Sequence, residues 1–153
     1  MRQVELTQLK ASDVMSRDVI AVTETMTVKG AAHLLLQSRV SGVPVVNEEG
    51  RCTGVLSATD FIRLAEREPN ASLPRAAYLA EWHVPEREGD SESEVRSHMT
   101  DDPVLASPDT RLPILAQMMV DAHVHRVIVV DEDQKPVGVV SSMDILAALA
   151  RLE

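Results

Sequence analysis

The sequence predicts a mixed α/β fold of the α+β type, a tandem pair of β-α-β-β-α repeats related by pseudo-twofold symmetry. Three observations predict it. The heptapeptide "GVLSATD" (Gly54–Asp60) returns as "GVVSSMD" (Gly138–Asp144), an offset of 84 residues that aligns 13–65 with 97–149 without a gap. Identities recur along that alignment at Met15/Met99, Asp18/Asp102, Ala32/Ala116, Val40/Val124, Val43/Val127, Val45/Val129, Val46/Val130 and Glu48/Glu132, and the internal period sets the architecture. Finally, both copies run through the same order of helical and extended apolar patterns.

Within each copy the elements follow from spacing. "DVIAV" and "DPVLA" supply a short first strand. Val28, Ala31, Ala32, Leu35 and Leu36 stand at i, i+3, i+4, i+7 and i+8, and Leu112, Leu115, Ala116, Met119 and Val120 repeat that face, which is the mark of an amphipathic helix. With Thr110 as cap, Pro113 falls in the first turn, where its missing N–H breaks no intrahelical bond. "VPVVNEEGRCTGVLS" and "VIVVDEDQKPVGVVS" read as strand, polar turn, strand. "TDFIRLAE" and "MDILAALA" then restart helical spacing. A unit of about 55 residues buries its own sheet poorly, so two copies are expected to share a core. The predicted boundaries are repeat 1 at 11–66, an insert at 67–94 and repeat 2 at 95–153. The insert opens with "EREPNASLPRAAYLAEW", where a short helix fits, and continues with the charged "PEREGDSESE", which reads as a linker or lid.

Bulk composition narrows the function. A formal charge of -9 and a pI near 5.0 argue against nucleic acid, whose affinity rests on Lys and Arg neutralising phosphates. The single cysteine, Cys52, excludes an internal disulfide and fits a reducing compartment; it sits in a polar turn open to oxidation. The N-terminus lacks a signal-type apolar core, and no apolar run approaches the roughly 20 residues of a membrane helix. A cytoplasmic protein is expected, with neither nucleic acid nor membrane among its partners.

The duplicated unit, with "RVSGVPVVNEEG" and "HVHRVIVVDEDQ" at the strand entries followed by Gly-hydrophobic-hydrophobic-Ser-x-x-Asp, resembles the CBS domain, named after cystathionine beta-synthase. Two such units form a Bateman module, and the resemblance covers nearly the whole chain outside the insert and the first ten residues. It implies a non-catalytic regulatory sensor that binds an adenine nucleotide, AMP, ADP or ATP, or a related adenosyl ligand, in clefts between the repeats, with magnesium a companion to be considered for a triphosphate. A carboxylate accepts from both hydroxyls of a ribose, the role implied for Asp60 and Asp144. Ser57, Thr59 and Ser141 would donate to phosphate beside a helix N-terminus. His125 and Arg126 would contact phosphate in the second copy, where the first has the uncharged Ser41 and Gly42. The resemblance also places Met15 to Ile20, with Asp18, beside Asp144, and Met99 to Val104 beside Asp60, with Ile20 or Val104 against the adenine. The cation at Arg126 favours the Asp144 cleft, because charge-assisted hydrogen bonds are about twice as strong as neutral ones. Replacing Asp144 or Arg126 by alanine is expected to weaken adenylate binding with little change in stability.

Competing readings are plain. Asp60, Asp144, Ser57 and Ser141 could serve only as helix caps. His123 and His125 share a face, but two neutral ligands without a carboxylate or thiolate make a poor metal site. No nucleophile or metal set with usable spacing supports an enzyme. The alternatives to the sensor are an interaction module with empty clefts or a small hydrolase or metal-binding protein. Family members of this kind form dimers, and the apolar residues of "DFIRLAE" and "DILAALARL" point to a homodimer with output to an unidentified effector protein.

Overall fold

The computed structural model describes residues 5–66 and 93–152. The expected short helix and linker of the insert fall outside them, apart from Ser93 and Glu94. After a short helix α1 (Ala11–Val14), the first repeat forms β1 (Val22–Thr23), α2 (Val28–Ser38), β2 (Gly42–Val46), β3 (Cys52–Ser57) and α3 (Ala58–Glu66). The second forms β4 (Leu105–Ala106), α4 (Leu112–Ala122), β5 (Arg126–Val130), β6 (Pro136–Ser141) and α5 (Ser142–Ala150). This is the β-α-β-β-α order that the sequence predicts.

Each repeat makes a three-stranded sheet, β1-β2-β3 and β4-β5-β6. The first strand is parallel to the second, with Val22 opposite Val45 and Leu105 opposite Ile128, as a helical crossover requires. β5 and β6 pair antiparallel, with Arg126 opposite Ser141. Buried apolar residues of α2 and the sheet, among them Val22, Ala31, Leu35, Val45 and Leu56, make one core; Leu112, Leu115, Met119, Val127, Val129 and Val140 make the other.

Several local expectations change. β1 begins only at Val22, at the end of "DVIAV", and pairs with β2 at Val22 and Thr23 alone. The α4 cap is Arg111, without a side-chain cap bond; the Thr110 hydroxyl instead accepts from the Ser107 N–H at 3.0 Å. The corresponding helix α2 is capped by Thr27, which accepts from the Gly30 N–H at 3.0 Å. Cys52 is not in the turn: it opens β3 and is buried, which shields the thiol.

The residues ahead of each first strand belong to the other repeat's compact unit. One unit comprises Met1–Val19, Gly50–Cys52 and Asp102–Glu153, the other Ile20–Glu49 and Thr53–Asp101. Ser16 forms an isolated antiparallel bridge with Val139 of β6, its N–H donating to Val139 O at 2.9 Å and its carbonyl oxygen accepting from Val139 N–H at 3.0 Å. Thr100 makes the same bridge with Val55 of β3, at 2.9 and 3.0 Å. The methionine before each bridge lies over a glycine. A Cβ on Gly54 would stand 2.7 Å from Met99 Sδ and 2.8 Å from Thr100 O; one on Gly138 would strike Met15 Sδ and stand 3.1 Å from Ser16 O. Only a residue without a side chain admits the crossing segment. Gly54→Ala and Gly138→Ala should each cost about 1–3 kcal/mol, as overpacking does. That is several degrees in Tm for a chain of this size; unchanged melting in both variants would show that the bridges tolerate displacement.

Candidate functional site

The strand-to-helix junction of each repeat gathers the predicted polar residues, and the sequence explains how. A serine ends the last strand and an aspartate three residues later lies in the first helical turn, the arrangement of a capping box. In the second repeat the box is complete. Ser141 N–H and Oγ donate to Asp144 Oδ2 at 2.7 and 3.0 Å, and Asp144 N–H donates to Ser141 Oγ at 3.2 Å. The junction is tied to the β5 entry by the Ser142 N–H, which donates to His125 O at 2.9 Å. With Arg126 opposite Ser141 in the ladder, His125, Arg126, Ser141 and Asp144 converge at one end of one sheet. The Ser16 bridge to Val139 brings the segment containing Met15 and Asp18 to the same β6 strand. His125, Arg126, Ser16 and Asp18 are exposed, and Asp144 is half-buried. Asp144 Oδ1 has no hydrogen-bond partner among the described residues.

The first repeat has the same frame and a different carboxylate. Ala58 N–H donates to Ser41 O at 2.8 Å, the counterpart of the Ser142–His125 bond. Ser57 N–H and Oγ donate to Asp60 Oδ2 at 2.8 and 3.2 Å. Here the second oxygen is also taken: Thr100 Oγ1 donates to Asp60 Oδ1 at 2.9 Å, and Arg63 Nη1 stands 3.8 Å from it. The Asp60 side chain is 4% exposed. Thr59 is exposed at the start of α3.

Ile20 and Val104 pack, partly buried, against the cores of the Asp60 and Asp144 units respectively, so each lies in the compact unit opposite to the aspartate it was paired with in the sequence. Among the described residues no group of three His, Cys, Asp or Glu side chains is placed to hold a metal ion. His123 is the left-handed C-cap of α4, at φ 54°, and is exposed. No helix of the described residues is long and apolar enough to cross a membrane.

The CBS domain family matches residues 11–67 and 93–151, both halves of the duplication. The chain belongs to the CBS domain family. It is 32% identical over 133 residues to the 5'-AMP-activated protein kinase subunit gamma-3 of Sus scrofa, covering 87% of this chain and 24% of that one. This CBS domain pair thus spans about a quarter of that relative's length. Its fold is that of CBSX2 solved in complex with AMP, at TM-score 0.71 and 22% identity over 93% of this chain and 96% of that one. It is equally that of the CBS domain pair of MJ0100, solved with 5'-methylthioadenosine and S-adenosyl-L-methionine, at TM-score 0.70 and 21% identity over 93% and 96%.

Ser16 and Thr100 lie inside the stretches that the resemblance places beside Asp144 and Asp60, but the sequence assigns neither a role of its own, and the two glycines are missed as site determinants. The capping geometry also corrects the expectation that Asp144→Ala leaves stability untouched, since that side chain holds the Ser141 end of β6. Asp144→Ala should cost about 1 kcal/mol, the usual loss of a cap. Asp60→Ala should cost roughly 3 kcal/mol, because it strands a backbone N–H and two hydroxyls around a buried position at about 1–3 kcal/mol per unsatisfied group. Equal losses in urea denaturation would contradict this ranking.

Proposed function

We propose that this chain is a regulatory module that binds an adenine nucleotide at the Asp144 half-site and signals its occupancy to another protein. One observation carries the reading: Asp144 keeps a carboxylate oxygen without a partner among the described residues, beside two exposed groups, His125 and Arg126, suited to an anion. The two hydroxyls of a ribose are donors that one carboxylate can accept, and Arg126 carries a fixed charge for phosphate. Ser141 and the N-terminus of α5 add partial positive charge on the same side. Met15 and Asp18 flank the site from the crossing segment. Ile20 and Val104 are the apolar residues assigned to the adenine, and Ser57, Thr59 and Asp60 form the second, less favoured half-site.

The gamma-3 relative, a subunit of a kinase named for its activation by AMP, and the AMP complex of CBSX2 support an adenylate over other anions. The 5'-methylthioadenosine and S-adenosyl-L-methionine held by the MJ0100 pair support the adenosyl group as the common element. A triphosphate would bring magnesium with it. The module is not an enzyme on this reading: the Ser141 hydroxyl and the Asp144 carboxylate are engaged with each other as a helix cap. Its place is the cytoplasm. Ile62 on α3, 54% exposed, and Leu146 on α5, 55% exposed, support a homodimer through these helices, as does Leu149. An effector protein reads the bound state, since a ligand shifts an equilibrium only by binding one state better.

Calorimetric titration with AMP, ADP and ATP tests the site. At ten to a hundred times Kd, the preferred nucleotide should stabilise the fold by roughly 1.4–2.7 kcal/mol through mass action. Asp144→Asn and Arg126→Ala should each weaken binding about ten- to a hundredfold, the range of a lost hydrogen bond to a charged group. Unchanged affinity in both variants would move the site away from this junction. Light scattering should give a dimer mass that falls to the monomer in Leu146→Glu; a monomeric native chain would refute the helical interface.

A further inference from the structure

The two half-sites share the serine N–H and hydroxyl bonds to Oδ2, the bond from the helix start to the strand entry and the two-bond bridge, and they part at the hydroxyl on Oδ1. In the first repeat Thr100 Oγ1 donates to Asp60 Oδ1 at 2.9 Å, on a side chain that is 4% exposed. In the second, the same place is held by Ser16, whose backbone is fixed to Val139 just as Thr100 is fixed to Val55. Yet Ser16 makes no bond to Asp144, whose Oδ1 has no partner among the described residues. Threonine is stiff at χ1 because of its β-branch, so its hydroxyl stays where the backbone puts it; serine rotates more freely. A ligand hydroxyl arriving at Asp60 would have to displace a neutral donor already bonded to a carboxylate, and no such contest exists at Asp144.

We infer that Thr100 is an internal stand-in for a ribose hydroxyl, which shuts the Asp60 half-site and limits the chain to one adenylate per chain. The inference rests on the reading of Asp144 as the open adenylate site. Thr100 is here an occupancy-determining residue: the half-site behind it keeps Ser57, Thr59 and Asp60, but both oxygens of the buried Asp60 carboxylate already accept from protein donors. Breaking a hydrogen bond to a charged group costs a competing ligand about ten- to a hundredfold in affinity, enough to leave the site empty at concentrations that fill the other.

Calorimetry with AMP on the full chain tests this. The native chain should bind one equivalent, and Asp144→Asn should bind that equivalent about ten- to a hundredfold more weakly. Thr100→Val, which keeps the shape and removes the donor, and Thr100→Ala should each bind a second equivalent, which Asp60→Asn in the same background removes. Two equivalents in the native chain, unchanged affinity in Asp144→Asn, or a single equivalent in both Thr100 variants would overturn the inference. If the native chain bound no AMP while Thr100→Val bound one equivalent, the Asp144 reading would fail and the role of Thr100 would stand. If neither bound, both would fall.

Discussion

Gly54 and Gly138 leave room for a backbone where any side chain would stand. Through that gap the segment ahead of each first strand crosses to the last strand of the other repeat, and a two-bond bridge fixes it there. The compact units therefore do not follow the linear order of the repeats; each takes its opening segment from the other copy. A β-α-β-β-α unit of this size has little core of its own. The crossing segment adds apolar side chains to it: Leu6, Leu9, Val14 and Met15 pack on the core of the second repeat, Val95 and Met99 on that of the first. The same glycine starts the motif that ends in serine and aspartate, so the close approach that completes the core also delivers Ser16 or Thr100 to the carboxylate.

The carboxylate itself divides its two oxygens between fold and ligand. Oδ2 of each aspartate receives the serine N–H and hydroxyl and thereby joins the strand to the helix. Capping and ligand binding, which compete as explanations when only the sequence is read, are compatible because they use different atoms of one side chain. What separates the repeats is the fate of Oδ1, bonded to Thr100 at Asp60 and unshared at Asp144. Duplication produced two similar frames, and the Thr100 hydroxyl on Oδ1, the nearby Arg63 and the uncharged Ser41 and Gly42 in place of His125 and Arg126 make them unequal.

Much of the fold was legible because it depends on period and repetition. The apolar stripes of α2 and α4 and the valine-rich runs of β2 and β5 are buried largely as their spacing predicts, with Leu36 and Val120 at the stripe edges left exposed. Boundaries set by tertiary contact were not legible. β1 pairs with β2 only at Val22 and Thr23, and Thr110 leaves the cap to bond Ser107. The gathering of His125, Arg126, Ser141 and Asp144 followed from the motif, since all four belong to neighbouring ends of one hairpin and its helix. The bond between Thr100 and Asp60 joins residues 40 positions apart, and no local pattern announces it; comparison of Ser16 with Thr100 across the repeat is the one signal in the sequence that could have done so.

The central claim is that Asp144 Oδ1 receives ribose hydroxyls. Its most direct test is a double-mutant cycle that pairs AMP and 2',3'-dideoxy-AMP with the native chain and Asp144→Asn. If the claim holds, the native chain prefers AMP by at least about tenfold, as loss of a hydrogen bond to a charged group requires, and the preference collapses in Asp144→Asn. Equal affinity of the native chain for both nucleotides, or a preference that survives in the variant, would contradict it.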